Sequence, residues 1–544
     1  MLRKISTGCL ALSLLAGLAS AQVPTLQRLD VTPTGQAPDA GAERASVSPD
    51  GEHVLFLSKA TNLVAPTLIS SDGRSLFLRE VRTGTTQQVN LNSSGAAMRV
   101  AFPAFGDSGP HFAVSAGGRY VVFASPDDDA LLGDINGSQD VFLRDLQAGT
   151  TELISQSSNG PVASGVARNV TISDDGRYVC FVGEGDQYVP LPGPLTSAAS
   201  HAYIRDRFKG STKIISRAVA GFQKTDIVSE AVLSGDGNRV AMLLTRSSGT
   251  GFRLVVRDRS QATSTDFGIV SEHVIFDEQP SIAIDRTGSK VVFSSRLNNL
   301  VAGDNDDLID SFLLDYNAAT FEIINLSTGD GQTSVEARWP NISPDGRYVS
   351  FESSGDELVP TQTPPRYHVF VRDLETGLTT LGSINLQAQP GSSVFTAQAL
   401  TRSRSALSHR GRYLVYESNY ENLVQPTSGM NYGIYLLDRQ TDGPQLTVTN
   451  LVSGGTATMT VTGCVPSGAV LVGVSLTGQG PISTPWGLVD LTPPLHTFSV
   501  LVNPAGVATL QLPLTPALAG LPLFARGLDA VDLSLTTPFF GTIH

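Results

Sequence analysis

Two segments carry oxygen side chains at matching spacing: Asp134-Ile135-Asn136-Gly137-Ser138-Gln139-Asp140 and Asp304-Asn305-Asp306-Asp307-Leu308-Ile309-Asp310. Oxygens at positions 1, 3 and 7 of each segment (Asp134, Asn136 and Asp140, or Asp304, Asp306 and Asp310) could converge on a hard cation such as Ca²⁺, which takes several oxygen ligands. The competing reading is an Asx-rich loop whose side chains cap its own backbone, and neither segment has the full EF-hand ligand set. A second group suits anions. Arg168, Arg338 and Arg404, with Arg44 and Arg402, offer guanidinium groups that pair bidentately with carboxylate, Trp339 offers a flat apolar face, and His111 and Glu230 accompany them. Five arginines in a chain of net charge −13 could hold an anionic sugar or a peptide carboxylate. Alternatively they pair with Glu43, Glu230 and carboxylates of neighbouring repeats, which leaves no site.

Catalytic signatures are scarce. Gly106-Asp107-Ser108-Gly109-Pro110, followed by His111, resembles the serine-protease nucleophile loop but lacks one glycine. No Gly-x-Ser-x-Gly elbow, His-Glu-x-x-His, paired Cys-x-x-Cys or phosphate-cradling glycine loop occurs. The eight histidines are scattered and read as surface or turn residues.

The elements that must position these residues follow from a repeat. One turn motif recurs seven times: Ser48-Pro49-Asp50-Gly51, Ser115-Ala116-Gly117-Gly118, Ser173-Asp174-Asp175-Gly176, Ser234-Gly235-Asp236-Gly237, Asp285-Arg286-Thr287-Gly288, Ser343-Pro344-Asp345-Gly346 and Ser408-His409-Arg410-Gly411. Successive first residues lie 51 to 67 positions apart. Asp accepts backbone N–H groups and Gly supplies positive φ, so each motif is a tight turn between two strands. An apolar strand follows each turn, as at Tyr178 to Val182, and a third strand ends on an acidic residue, as in Asp140-Val141-Phe142-Leu143-Arg144-Asp145. A fourth strand such as Glu152 to Ser155 completes a four-strand unit of roughly 60 residues, the unit of a β-propeller blade. The seventh unit lacks its fourth strand, and Leu26 to Val31 reads as that strand, closing the ring and removing two unpaired edges. The expected fold is all-β: a seven-bladed β-propeller closed by an N-terminal strand, with a C-terminal β-sandwich-like domain. In this arrangement the arginine group rings one mouth of the axial channel and the acidic segments are second-to-third-strand loops on the same face.

The turn motif and the strand after it resemble the WD40-like (PD40) propeller repeat of TolB-type proteins, over residues 44 to 440. The chain differs from TolB in having seven motifs rather than six, no separate N-terminal domain and an added C-terminal one, so TolB's partners do not carry over. From about Gln445 the repeat stops and alternating runs such as Thr456 to Val461 suggest a β-sandwich of about 100 residues.

The first 21 residues follow a secretory pattern: Arg3 and Lys4, an apolar run from Cys9 to Leu18, then Ala19-Ser20-Ala21. The domain boundaries expected are therefore a signal peptide over 1–21, the propeller over 22–443 and the small β domain over 444–544. Cys9 precedes rather than follows the apolar run, which argues against lipidation. Without the leader, 35 basic residues face 50 acidic ones, a formal charge of −15 that opposes nucleic-acid binding. No later segment reaches the about 20 apolar residues of a membrane span. Cys180 and Cys464 fall in different domains and read as small buried hydrophobes.

The first functional expectation is a secreted, periplasmic or cell-surface monomer, non-catalytic, that binds a protein, peptide or glycan through the upper face. Calcium is the one cofactor the spacing suggests. Two alternatives stand beside it: a propeller enzyme such as a polysaccharide or lactone lyase, with His111 as base and the arginines as carboxylate clamp, and a structural cell-surface protein.

Overall fold

The computed structural model describes residues 25–543 except 69, 71, 102–110, 130–131, 158–164, 185–187, 190–199, 219–225, 246–250, 272–280, 305, 329–330, 332–334, 362, 364–365, 393–404, 425–431, 440–444, 463–468, 477–480, 485–486, 491–495, 503–506 and 530–538. The leader read over residues 1–21, the protease-like segment 106–110, Arg402, Arg404 and Cys464 lie outside the described residues. Almost all regular structure is strand, arranged in antiparallel sheets.

Between residues 25 and 438, seven four-stranded sheets occur among the described residues. The first comprises Ala42–Val47, His53–Ser58, Ser75–Glu80 and Thr86–Gln88; the second Phe112–Val114, Tyr120–Ser125, Asp140–Asp145 and Thr150–Leu153. The third is Ala167–Ile172, Tyr178–Glu184, Ser200–Asp206 and Ser211–Ile214; the fourth Ile227–Leu233, Arg239–Thr245, Phe252–Asp258 and Thr263–Ser271. The fifth is Ile282–Ile284, Lys290–Ser295, Asp310–Asp315 and Thr320–Ile323; the sixth Ala337–Ile342, Tyr348–Ser353, His368–Asp373 and Leu378–Leu381. The seventh consists of Ala406–Leu407, Tyr413–Ser418 and Gly433–Asp438, with Thr25–Arg28 from the start of the chain as its outer strand.

The seven turns share one chemistry. Ser48 Oγ donates to Asp50 Oδ1 (2.5 Å) and accepts the His53 N–H (3.0 Å), while Asp50 Oδ1 also accepts the Glu52 N–H. The same acceptance of the fifth residue's N–H recurs at Ser115, Ser173, Ser234, Ser343 and Ser408, and in the fifth sheet Asp285 Oδ1 does the serine's work toward Lys290. Gly176 stands at φ 70°, and a Cβ there would overlap the Tyr120 ring of the preceding sheet. Gly51 (φ 78°) sits in the same way on Tyr413, so the first sheet is keyed onto the seventh.

Second strands are apolar on both faces because both faces are covered. Leu55 and Leu57 pack toward the second sheet with Val121 and Phe123, whereas Val54 and Phe56 of the same strand pack toward the seventh with Val415, Ile434 and Leu436. Equivalent cores join second to third, third to fourth, fourth to fifth, fifth to sixth and sixth to seventh. First strands of successive sheets lie side by side, and Ala42–Val47 also neighbours Ala406–Leu407, so the sheets form a ring, the arrangement of a β-propeller. Arginine seams reinforce it: Tyr120 lies between Arg119 (4.7 Å) and Arg207 of the next sheet (4.5 Å), and Arg119 pairs with Asp145 at 2.7 Å. At the turn end of the axis, Asp174 of the third sheet pairs with Arg286 of the fifth at 2.7 Å.

Thr25–Arg28 pairs antiparallel with Tyr435–Asp438, and the Leu29 N–H continues the ladder to Ile434 O (2.8 Å). Asp30 Oδ1 accepts the Ile434 N–H at 2.8 Å and both carboxylate oxygens meet the Arg28 guanidinium, all buried. Further on, a three-stranded sheet (Gln445–Thr449, Thr456–Thr462, Ala508–Pro513) and a four-stranded one (His496–Leu501, Ala469–Ser475, Pro522–Asp529, Phe539–Thr542) share a core of Leu446, Met459, Val461, Val470, Val472, Val474 and Leu523. No helix of the described residues is long and apolar enough to cross a membrane.

Candidate functional site

At the end of the ring opposite the turns, the second-to-third loops deliver each chain segment into its third strand. In five sheets the residue five positions before that strand's final acidic residue fills a slot whose other side is the polar residue just after the fourth strand. Register places Ser75, Asp140, His201, Asp310 and His368 in this position, with Arg253 and Gly433 at the matching register of the fourth and seventh sheets. The fourth-strand partner accepts the next backbone N–H: Asn90 from Leu76 (3.0 Å), Ser155 from Val141 (2.9 Å), Ser216 from Ala202 (3.3 Å), Asn325 from Ser311 (3.0 Å) and Ser383 from Val369 (3.2 Å). Asp30 plays that part toward Ile434, which identifies the early strand as the seventh sheet's fourth. Carboxylates occupy the slot in the second and fifth sheets.

In the fifth sheet, Asp310 is buried and its Oδ1 accepts from Asn325 Nδ2 at 2.5 Å. Burial pushes its carboxyl up to about 7; the Asn325 hydrogen bond opposes this and the charges of Asp306 and Asp304 add to it. Asp304, Asp306 and Asp310 each bring a carboxylate oxygen to within 4.8 Å of the others. Asp304 is 3% exposed, its Oδ1 has no hydrogen-bond partner, and burial followed by the charges of Asp306 and Asp307 raises its pKa. Asp306 caps the Leu308 N–H at 3.1 Å and stays half-buried.

The second sheet repeats the pattern with a difference. Asp140 is buried, accepts from Ser155 Oγ (2.5 Å) and from Asn136 Nδ2 (2.7 Å), and is pushed up to about 7, chiefly by burial. Asp134 is fully buried, and neither of its oxygens completes a hydrogen bond. Burial and then the charge of Asp128 push it up to about 6, an effect that the nearby amides of Asp129 and Asn136 only partly offset. Asn136 turns its amide nitrogen to Asp140 and its oxygen to the Ser138 N–H (2.6 Å), so here the self-capping reading describes Asn136. The sequence reading missed Asp128, which holds the Gly137 N–H at 3.0 Å and adds to the local negative charge. Its only signal is the run Asp127-Asp128-Asp129.

The two residue groups treated separately in sequence meet in space. The end of the 304–310 loop binds the sixth sheet's first strand through Ala337 N–H to Ile309 O (2.6 Å), one residue before Arg338 and Trp339. The end of the 134–140 loop does the same through Ala167 N–H to Gln139 O (2.8 Å), one residue before Arg168. A bulge follows each contact, between Arg168 and Thr171 and between Arg338 and Asn341, with Asn169 at φ 50° and Trp339 at φ 49°. Arg44 (φ 56°) marks the same bulge in the first sheet. Bulges re-aim side chains, and a non-glycine residue at positive φ is strained.

The charged partners correct one expectation. Arg168 pairs with Glu184 at 3.1 Å and Arg338 with Glu336, both within their own sheets, rather than with Glu43, Glu230 or a neighbouring blade. The cross-strand diagonal on one face brings Glu184 into reach. Arg338 also lies 5.5 Å from the Tyr367 ring, and Arg296 links Glu336 (3.1 Å) to the Asp307 carbonyl (3.1 Å). His111 and Glu230 are buried in their first-strand regions, and Trp339 is half-buried. Four histidines depart from the surface-or-turn expectation, His53, His111, His201 and His368 being buried, whereas His409 is buried within its turn. His201 and His368 fill the slot in the third and sixth sheets, each against a serine, at 3.3 and 3.0 Å.

No protein-family model matches the chain, and no curated protein does. Among solved structures, an oligogalacturonate lyase in complex with manganese is 13% identical, with 77% of this chain and 96% of that one covered, at a TM-score of 0.44. The β-propeller domain of the Trilobed protease from Pyrococcus furiosus is 10% identical (73% and 95% covered, TM-score 0.42). A putative TolB from Agrobacterium tumefaciens is 14% identical (56% and 87% covered, TM-score 0.33). The manganese and the activities named there belong to those proteins.

Proposed function

We propose that residues 22–443 form a closed seven-bladed propeller, exported behind the leader over residues 1–21 and followed by a β-sandwich domain over 444–544. It acts as a non-catalytic binding or scaffolding module. Its ligand is a protein, peptide or glycan carrying a carboxylate, taken at the loop end of the ring. The observation that supports this most is Trp339 held at positive φ on a bulge beside Arg338. Strain at a rim residue is tolerated where the side chain's direction matters, and Trp339 offers a stacking face beside Arg338, whose Nε carries no hydrogen bond although its Nη2 is paired with Glu336. The repeat's own polar residues support the reading from the other side, since they serve the turns and the seams between sheets.

The test is a glycan and peptide array, followed by titration of the hits, comparing the chain with an Arg338→Ala/Trp339→Ala variant. A loss of affinity on the order of tenfold or more is expected, as for truncation of an anchor pair. Equal binding by both proteins sinks the proposal.

A further inference from the structure

We infer that Asp304, Asp306 and Asp310 form a binding site for one divalent hard cation of the class of Ca²⁺. Acidic residues alone would not establish this, because carboxylates cluster on many surfaces. What distinguishes this cluster is Asp304: it is nearly buried, its Oδ1 is without a partner, and it faces the two other carboxylates. A buried carboxylate is normally hydrogen-bonded or paired, and leaving one bare is destabilising.

Neighbouring cations do not fill that role. Arg296, which reaches the loop, gives its guanidinium to the Asp307 carbonyl and to Glu336. Asn325 supplies a single amide hydrogen bond to Asp310. Among the described residues, the three carboxylates therefore converge with no hydrogen bond or ion pair to a cationic side chain.

The ligand atoms select the class of ion. The three carboxylates lie within 4.8 Å of one another, a spread that oxygens about 2.4 Å from one Ca²⁺ ion can span. Their hard oxygens suit Ca²⁺ rather than a thiophilic metal.

The same slot elsewhere in the ring shows what a neutral solution looks like. In the third and sixth sheets a histidine sits against a serine, at 3.3 and 3.0 Å. The inference is independent of the rim proposal, because it uses residues that the Arg338→Ala/Trp339→Ala variant leaves intact.

The test uses the full mature chain, stripped by chelation and titrated with Ca²⁺ alone, read by calorimetry and by counting bound ions after dialysis. The variants are Asp304→Asn, which keeps the shape and removes the charge, and Glu322→Gln, an exposed carboxylate of the same sheet, as control. Asp304→Asn is expected to bind one equivalent fewer than the unsubstituted chain and to lose the accompanying rise in melting temperature, while Glu322→Gln keeps both. An ion held by the 134–140 loop would be counted equally in all three proteins. Asp304→Asn relieves repulsion, so the ion-free variant is expected to melt no lower than the ion-free parent, which separates a lost site from a lost fold. No uptake by the parent at millimolar Ca²⁺, or an unchanged count in Asp304→Asn, overturns the inference.

Discussion

The two ends of the ring use the same repeat in opposite ways. At the turn end each sheet contributes an oxygen that accepts the fifth residue's N–H and a glycine close against a neighbour, and in several sheets an arginine seam is added. At the loop end one register position holds Ser75, Asp140, His201, Arg253, Asp310, His368 or Gly433, depending on the sheet. Uniform chemistry serves closure, because every interface in a ring must make the same angle. Varied chemistry at the other end is free of that demand, so ligand sites have room to arise there.

The sharpest way to break this comparison is to make the same substitution at both ends. Gly176 (φ 70°) and Gly137 (φ 65°) have nearly the same backbone, but an added Cβ meets the Tyr120 ring at Gly176 and nothing within 4 Å at Gly137. Gly176→Ala is expected to lose about 2–4 kcal/mol, combining backbone strain with overpacking, and Gly137→Ala only ~1 kcal/mol. Urea-unfolding midpoints measure both, and equal losses would show that the seam between sheets contributes little.

A pH titration sharpens the contrast between the slots. Burial, followed by the charge of Arg217, pushes His201 down to about 4 from its ordinary 6.5. Between those values the unfolded chain binds the extra proton and the folded chain does not, so this histidine lowers stability as pH falls from about 6.5 to about 4. The expected loss is about 2–3 kcal/mol, absent in His201→Gln. Parallel stability curves for the two proteins over that window would contradict the assignment.

The smallest expected effect is at Cys180, which is fully buried between the third and fourth sheets and pushed up to about 12 by that burial. The native chain should leave this thiol unmodified by a thiol reagent at pH 8 and expose it on unfolding, since the thiolate is the reactive form. Rapid modification under native conditions would mean that the third-to-fourth seam opens locally.

Much of the fold could be read from local chemistry. Ser-x-Asp-Gly fixes a turn within four residues, and strands apolar on both faces announce sheets stacked on both sides. The outer strand near Leu26 was legible because its pattern matched a missing piece, although only the structure shows Asp30 taking the place of Ser155 and Asn325. The site was less legible. Spacing drew attention to Asp304, Asp306 and Asp310, but it could not distinguish them from Asp134, Asn136 and Asp140, where the amide of Asn136 turns back onto Asp140. It also placed the partners of Arg168 and Arg338 in other blades, whereas they lie in the same sheets.

By itself, the sequence determined where the turns fall, which strands are apolar and which acidic residue ends each third strand, because those depend on neighbours a few positions away. Tertiary structure decided that oxygens of Asp134 and Asp304 are left without a partner, which loop abuts Arg338, and that Trp339 is held at positive φ. These depend on burial and on contacts between segments far apart in the chain, and burial is what turns an ordinary aspartate into one that calls for a cation.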